Sequence, residues 1–270
     1  MELVDTHCHI QSIGDDTGEY HTRELWRKLD ADLNNVIVGA NSASVTSLIC
    51  VGCDPIDSRL AISCAHDRVG CYASIGIHPH EAKRFVDNEP AKTSFADLIN
   101  SDKVVAVGEC GLDYYYNHSR ADDQASILRF QLDLAAETGL PVIFHVRQAF
   151  ADFWPIFDSY KGKLTGVLHS FTDSQDTLQA ALDRGLFIGV NGIVTFAKDP
   201  HQLSMYTSIP LNQLLLETDA PYLTPVPYRG NINEPKHILT IAEFLADLRG
   251  NEVEAIAKAS TANAKLLFGL

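Results

Sequence analysis

Short apolar runs alternate along the chain with longer stretches of helical spacing. The runs fall at 3–4, 46–51, 71–77, 104–107, 142–144, 165–168, 186–190 and 214–216. They are rich in Val, Ile and Leu, which predicts strands buried on both faces of a parallel sheet. Between them, 19–33 carries Leu25, Trp26, Leu29 and Leu33 at the spacing of an amphipathic helix, after a polar loop over 11–17. A further turn or two is expected over 36–40. Pro55 opens a helix over 56–66, and Thr93 or Ser94 caps a short one over 95–100. A long helix over 121–138 stops at Gly139, with Pro141 beyond. Helices are also expected around 150–160, between Ser174 and Gly185, over 202–207, 235–249 and 252–268.

Eight strands alternating with helices predict an α/β protein built as a (β/α)8 TIM barrel, a closed parallel eight-stranded sheet. An open doubly wound sheet is the alternative, but no G-x-G-x-x-G follows the first strand. No Pro/Gly/Ser-rich linker divides the chain, so a single domain over 1–270 is expected.

Hydrophobic residues make up 46% and charged residues 21%, enough apolar material for a large core. The net charge of −14 argues against a broad basic surface gripping long nucleic acid. It leaves room for a small cationic pocket, because a bound metal inverts local charge. The N-terminus has no signal-peptide pattern, and no run reaches the roughly 18 apolar residues of a membrane span. The six cysteines lie within predicted strands and helices, which suits free thiols in a reducing cytoplasm. Cys50 and Cys53 form a C-x-x-C with no second pair to complete a zinc site.

In such barrels chemistry sits at the C-terminal ends of the strands. Those ends carry His7 and His9, Asp54, His78, Glu109, His145, His169, Asn191 and Asp219. His7 and His9 are two apart and share a strand face, with Asp5 deeper on it. Asp219 follows the run 214–216 just before Pro221, which cannot continue a ladder. Each residue alone has a plain structural reading: a histidine after a strand is often a core or loop residue, and Glu109 or Asp219 could cap a helix. Five strand ends all carrying ligand-type side chains point instead to a metal site. Imidazoles favour zinc, iron or manganese over magnesium alone. Six ligands exceed one tetrahedral site, so two metals sharing a carboxylate is the economical arrangement.

With these residues in place, the chain resembles the TatD family of metal-dependent deoxyribonucleases, within the amidohydrolase-like barrels. The resemblance rests on D-T-H-C-H at 5–9, G-I-H-P-H at 76–80, G-E-C-G-L-D-Y-Y at 108–115 and P-V-I-F-H-V-R at 141–147. It continues through H-S-F at 169–171, G-I-V-T-F at 192–196, L-L-E-T-D-A-P-Y-L-T-P at 215–225, P-Y-R-G at 227–230 and N-E-P at 233–235. The motifs run in order over nearly the whole chain. The segment around 15–32 is longer than usual, Cys110 replaces a common aliphatic residue, and Asn231 and Ile232 stand where basic residues are often seen.

The resemblance implies a metal-dependent hydrolase, a 3′–5′ exodeoxyribonuclease on single-stranded DNA ends, with RNA also possible as a substrate. It implies two divalent ions per chain (magnesium, manganese or zinc). His7, His9, Asp219 and Glu109 would hold one, and His145 and His169 the other, with Glu109 bridging. Glu109 and Asp219 would be the catalytic carboxylates, Asp219 accepting the proton of the attacking water. His78, Arg147 and Arg229 are candidates for phosphate contact, although Arg147 could equally be a structural ion-pair partner. Tyr114, with Tyr115 and Tyr116, and Tyr222 are candidates for stacking on bases at the rim, or for packing the loop. Glu217 and Asp5 are candidate partners of the histidines, or buried structural carboxylates. His80 reads as a loop residue, and Cys8 should face away from the site and be inert. No membrane and no obligate protein partner are implied. The competing readings are an ester or amide hydrolase on the same metals, such as an aminoacyl-tRNA deacylase, and a barrel that binds without turnover.

Overall fold

The computed structural model describes residues 1–14 and 21–270. Among the described residues eight strands form one sheet in chain order: β1 (Leu3–Cys8), β2 (Val45–Val51), β3 (Cys71–Ile75), β4 (Val104–Asp113), β5 (Val142–Arg147), β6 (Gly166–Leu168), β7 (Phe187–Val190) and β8 (Leu214–Leu216). All neighbouring pairs are parallel. The sheet closes on itself just past β8, where Asp219 N–H donates to the His7 carbonyl and His9 N–H to the Ala220 carbonyl, each at 2.8 Å. A parallel bridge joins Cys8 to Ala220. This is the expected (β/α)8 barrel.

The helices are α1 (His21–Lys28), α2 (Leu33–Ser42), α3 (Pro55–His66), α4 (Ala82–Phe85), α5 (Glu89–Ala96), α6 (Ala121–Thr138), α7 (Phe150–Asp158), α8 (Gln175–Asp183), α9 (Pro200–Ser208), α10 (Ile238–Arg249) and α11 (Val253–Phe268). Several caps stand where the sequence places them. Ser174 accepts from Thr177 N–H, Pro55 opens α3 behind the Asp54 cap, and Gly139 ends α6 in the left-handed conformation.

Other expectations need correction. The single helix over 19–33 is broken: α1 stops at Lys28, Asp30 turns to φ +49°, and Asp32 caps a new helix through Asn35 N–H. The start of that expected helix, and the loop expected over 15–17, lie outside the described residues. The helix expected over 95–100 begins at Glu89, because Asn88 rather than Thr93 or Ser94 is its cap. β4 does not end at Val107 but pairs with β5 through Asp113. Gly108 and Gly111, which follow the apolar run, are sites of close approach. A side chain at Gly111 would meet the His145 carbonyl oxygen at 1.8 Å.

The inner face of the barrel follows the period of two. Ile143, Val167 and Leu215 lie in a buried cluster with Val4, Ile49 and Val105, which α11 covers with Ala264 and Phe268. Two residues further along the same strands stand His145, His169 and Glu217. The apolar floor and the polar mouth are therefore successive layers on one set of strand faces. Burying each branched side chain of the floor contributes roughly 1.5–3 kcal/mol. That burial fixes which face the polar residues occupy, since a slip of one residue would turn them all outward.

Candidate metal centre

The six expected ligands converge at the C-terminal mouth. His7 Nε2 is 3.3 Å from His9 Nε2, 3.4 Å from Glu109 Oε2 and 3.8 Å from Asp219 Oδ1. His9 Nε2 is 3.4 Å from Asp219 Oδ1, and His169 Nε2 is 3.9 Å from both Asp219 Oδ1 and Glu109 Oε1. His145 Nδ1 lies 2.7 Å from Glu109 Oε1. The two oxygens of Glu109 thus face different imidazoles, Oε2 towards His7 and Oε1 towards His145, His169 and His78.

The far nitrogens of three of these rings face groups outside the cluster. His9 Nδ1 donates to the Val51 carbonyl at 2.9 Å, His145 Nε2 meets Asp113 Oδ2 at 3.0 Å, and His169 Nδ1 lies 2.9 Å from Glu217 Oε1. Each such partner fixes the ring and directs its other nitrogen into the cluster, where loss of its proton would make it a metal ligand. Buried His7 Nδ1 has no hydrogen-bond partner among the described residues, and the ring stacks on His169 at 3.5 Å between centroids. Donors about 2.0–2.2 Å from an ion stand roughly 3–4 Å from one another, the spacing found here. The residues fit divalent metal.

The electrostatics agree with a cluster short of positive charge. Burial opposes the charge of Glu109, but the facing imidazoles of His169, His78, His145 and His7 outweigh it and hold the carboxyl well below its usual range. Asp219 is likewise lowered against burial by His9, His169 and His7. Burial works against a charged His169, and Glu217 and Glu109 overcome it, raising that group to about 10. Asp113 and Glu109 similarly raise His145 to about 9. His78 goes the other way, driven well below its ordinary value by burial and by the neighbouring His145. Protons on imidazoles balance the carboxylates here, a task that divalent cations do with more charge in less space.

Backbone conformation presents the ligands. Asp219 and Ser170 are held at φ +58° and +51°, turning each chain sharply just after its strand. Asp5 accepts from Thr218 N–H at 2.9 Å and from the Thr218 hydroxyl, so it braces the β1–β8 seam rather than a histidine ring. Glu217 does touch a candidate ligand, His169, and also accepts from Ser170 N–H at 2.6 Å. Gly189 leaves the space this carboxylate needs, since a Cβ there would stand 2.4 Å from Glu217 Oε2.

The remaining candidates divide. His78 lies beside Glu109, with Nε2 3.7 Å from Oε1 and Nδ1 accepting from His80 N–H. Tyr222 stands at the rim, its ring 6.4 Å from that of His9. Arg229 packs over Phe196 at 4.1 Å and donates to the Thr224 carbonyl. Among the described residues Arg147 makes no ion pair: its guanidinium lies over the rings of Tyr115 and Tyr116, at 3.9 and 4.8 Å. Tyr114 takes the packing alternative. Its hydroxyl donates to Asp152 Oδ2 at 2.9 Å and its half-buried ring packs on the core, leaving the exposed faces to Tyr115 and Tyr116. Asp54 caps α3 and stays out of the cluster.

Three residues here escaped the sequence reading. Buried Asp113 accepts from both His145 and His80, each at 3.0 Å. That gives His80 a fixed partner where a loop residue was expected. Gln124 and Gln131 on α6 are fully buried. Gln124 pairs with the backbone of Asp113, and Gln131 with both backbone groups of Ile77. One helix thereby holds the segments that carry His78 and Asp113. The available signal was two glutamines seven apart on one helix face.

All six cysteines are free. Cys50 lies 3.9 Å from Cys64; a hydrogen bond with Cys50 lowers the buried Cys8 thiol, but burial and the neighbouring Asp5, Cys71 and Cys64 together push it up to about 11, consistent with an inert thiol. Among the described residues no helix is long and apolar enough to cross a membrane.

Comparison with known proteins gives the same picture. The profile of the family described as TatD related DNase matches residues 4–269. The metal-dependent hydrolase YabD of Bacillus subtilis is 34% identical over 267 residues, 98% of each chain. The 3′-5′ ssDNA/RNA exonuclease TatD of Erwinia billingiae is 39% identical over 246 residues, covering 88% of this chain and 94% of that one. Among solved structures, the TatD homologue YjjV of Escherichia coli superposes with a TM-score of 0.85 at 26% identity, over 99% of this chain and 98% of that one. Barrel, strand-end cluster and near full-length similarity agree, and the chain belongs to the TatD-related DNase family.

Proposed function

We propose that this protein removes nucleotides from the 3′ ends of single-stranded DNA, and of RNA, using two divalent ions bridged by Glu109. The observation that carries this reading is the division of Glu109, one oxygen towards His7 and the other towards His145 and His169. The names of the relatives, exonuclease and metal-dependent hydrolase, support the choice of bond. His7, His9 and Asp219 would hold one ion, and His145 and His169 the other. Divalent ions in this position lower the pKa of water and offset the negative charge that develops on phosphoryl oxygens.

The protein's own groups do the rest. The Asp219 side chain is 14% exposed, against 6% for Glu109 and 1% for Glu217. It is therefore the cluster carboxylate most open to solvent, placed to take the proton of the attacking water. Burial and the neighbouring His145 push His78 down, and its Nδ1 accepts from His80 N–H, which leaves Nε2 as the nitrogen to present an N–H. That N–H is available to a phosphate oxygen. The free cysteines suit the reducing cytoplasm where we place the protein.

The test is release of nucleotides from 3′-labelled single strands by metal-stripped protein given magnesium, manganese or zinc. Asp219→Asn serves as control. Metal-dependent release that the substitution abolishes supports the reading. Folded protein that binds metal but releases nothing contradicts it and favours the ester or amide hydrolase.

A further inference from the structure

The strands that carry the cluster also build a surface just outside it. In β5, Arg147 follows His145 by two residues on the same face. In β4, Asp113 pairs in register with Arg147, and the chain then turns through Tyr115 and Tyr116. Both tyrosines are 52% exposed, and their rings meet edge to face at 4.8 Å. The guanidinium carbon of exposed Arg147 lies 3.9 Å from the ring centroid of Tyr115 and 4.8 Å from that of Tyr116. Asp113 Oδ1 accepts from Tyr115 N–H at 2.9 Å and Tyr116 N–H at 3.0 Å, while Oδ2 accepts from His145 and His80. A single buried carboxylate therefore sets the height of this ledge relative to a candidate ligand. The ring of Tyr116 is 5.5 Å from that of His80, which is 6.3 Å from that of His145. The ledge thus lies within a few nucleotides of the cluster, each about 3.4 Å along a stacked strand.

We propose that Tyr115, Tyr116 and Arg147 form a stacking subsite for one unpaired nucleobase of a strand whose reacting phosphate sits at the cluster. The inference rests on the reading above that the substrate is a single strand. Two large exposed aromatic rings set edge to face, with a guanidinium beside them, offer what every base can use, a polarisable face to stack on. They offer no fixed donor and acceptor pattern to read base identity, so the subsite accepts any sequence. A paired base is stacked within its own duplex and cannot enter. The ledge thereby selects single strands without the broad basic surface that a net charge of −14 argues against.

The test is a positional scan with the metal-loaded enzyme. Synthetic single strands carry one abasic residue at successive positions from the 3′ end, and kcat/KM for nucleotide release is compared with that of the intact strand. One position should be sensitive, losing about 5- to 150-fold when its base is absent, the range of base–aromatic stacking. In the double variant Tyr115→Ala, Tyr116→Ala, intact and abasic strands should be handled alike at that position. Tyr115→Phe, Tyr116→Phe should restore the discrimination, because the ring faces are kept. Wild-type enzyme that degrades strands with no sensitive position, or a double alanine variant that still discriminates, overturns the ledge and leaves the nuclease reading intact. Wild-type enzyme that releases no nucleotide from any strand overturns both.

Discussion

The amide of Asp219 donates to the carbonyl of His7 at 2.8 Å, so the bond that closes the barrel also places the last acidic member of the cluster beside the first histidine. The backbone supplies this contact, and the carboxylate is left to the site. Asp219→Asn keeps the amide and tolerates the left-handed conformation at φ +58°. It should fold as the parent does and lose about 10²–10⁴-fold in turnover. Circular dichroism melts of the metal-free proteins together with nucleotide release would check both halves.

Asp113 faces two ring nitrogens, on His145 and His80, and two backbone amides. An asparagine offers only one side-chain acceptor oxygen and turns an N–H2 towards one set of donors. Asp113→Asn should release the His145 ring and weaken the ion on that side of Glu109 by about 10- to 100-fold, leaving the His7–His9 side near its original affinity. Competitive titration against a chelator, followed ion by ion, would detect two affinities where the parent's are closer together.

Gly189 and Glu217 are a second such pair. A methyl group at 189 would stand 2.4 Å from Glu217 Oε2 and displace the carboxylate that orients His169. Gly189→Ala should cost about 1–3 kcal/mol of stability through overpacking. It should also lower metal affinity, which simple overpacking away from the site would not do. Denaturant midpoints with and without added metal separate the two effects.

Metal removal should show in stability as well as in activity. An ion at about 100 times its dissociation constant stabilises the folded state by about 2.7 kcal/mol per site. At about 2–4 °C per kcal/mol, chelation should lower the melting temperature by roughly 5–10 °C for each ion lost. Scanning calorimetry before and after chelation, then after metal is returned, measures it.

The strand ends were the legible part of this sequence. His145, His169 and Asp219 stand after short branched runs, and the period of two that predicts a shared face also governs the barrel interior. What was not legible depends on contacts distant in sequence. Gly108 and Gly111 look like the end of a strand, yet the β4–β5 pairing runs past both, because glycine at 111 is what lets the two backbones approach. That extension brings Asp113 under His145, and no local pattern announces it. Tyr114, Tyr115 and Tyr116 are indistinguishable in sequence. A hydrogen bond to Asp152 on α7 takes the first out of the rim, and Arg147 on β5 covers the other two. Asn88 would have been the better cap to choose for α5, being followed by Glu89 and Pro90 at the helix start.

The central claim, two ions divided by Glu109, is tested most directly by anomalous diffraction from crystals of the metal-stripped protein soaked in manganese. The expected result is two peaks at the mouth of the barrel, one among His7, His9 and Asp219 and one between His145 and His169, with a Glu109 oxygen on each. A single peak, or peaks that Glu109 does not touch, would contradict it.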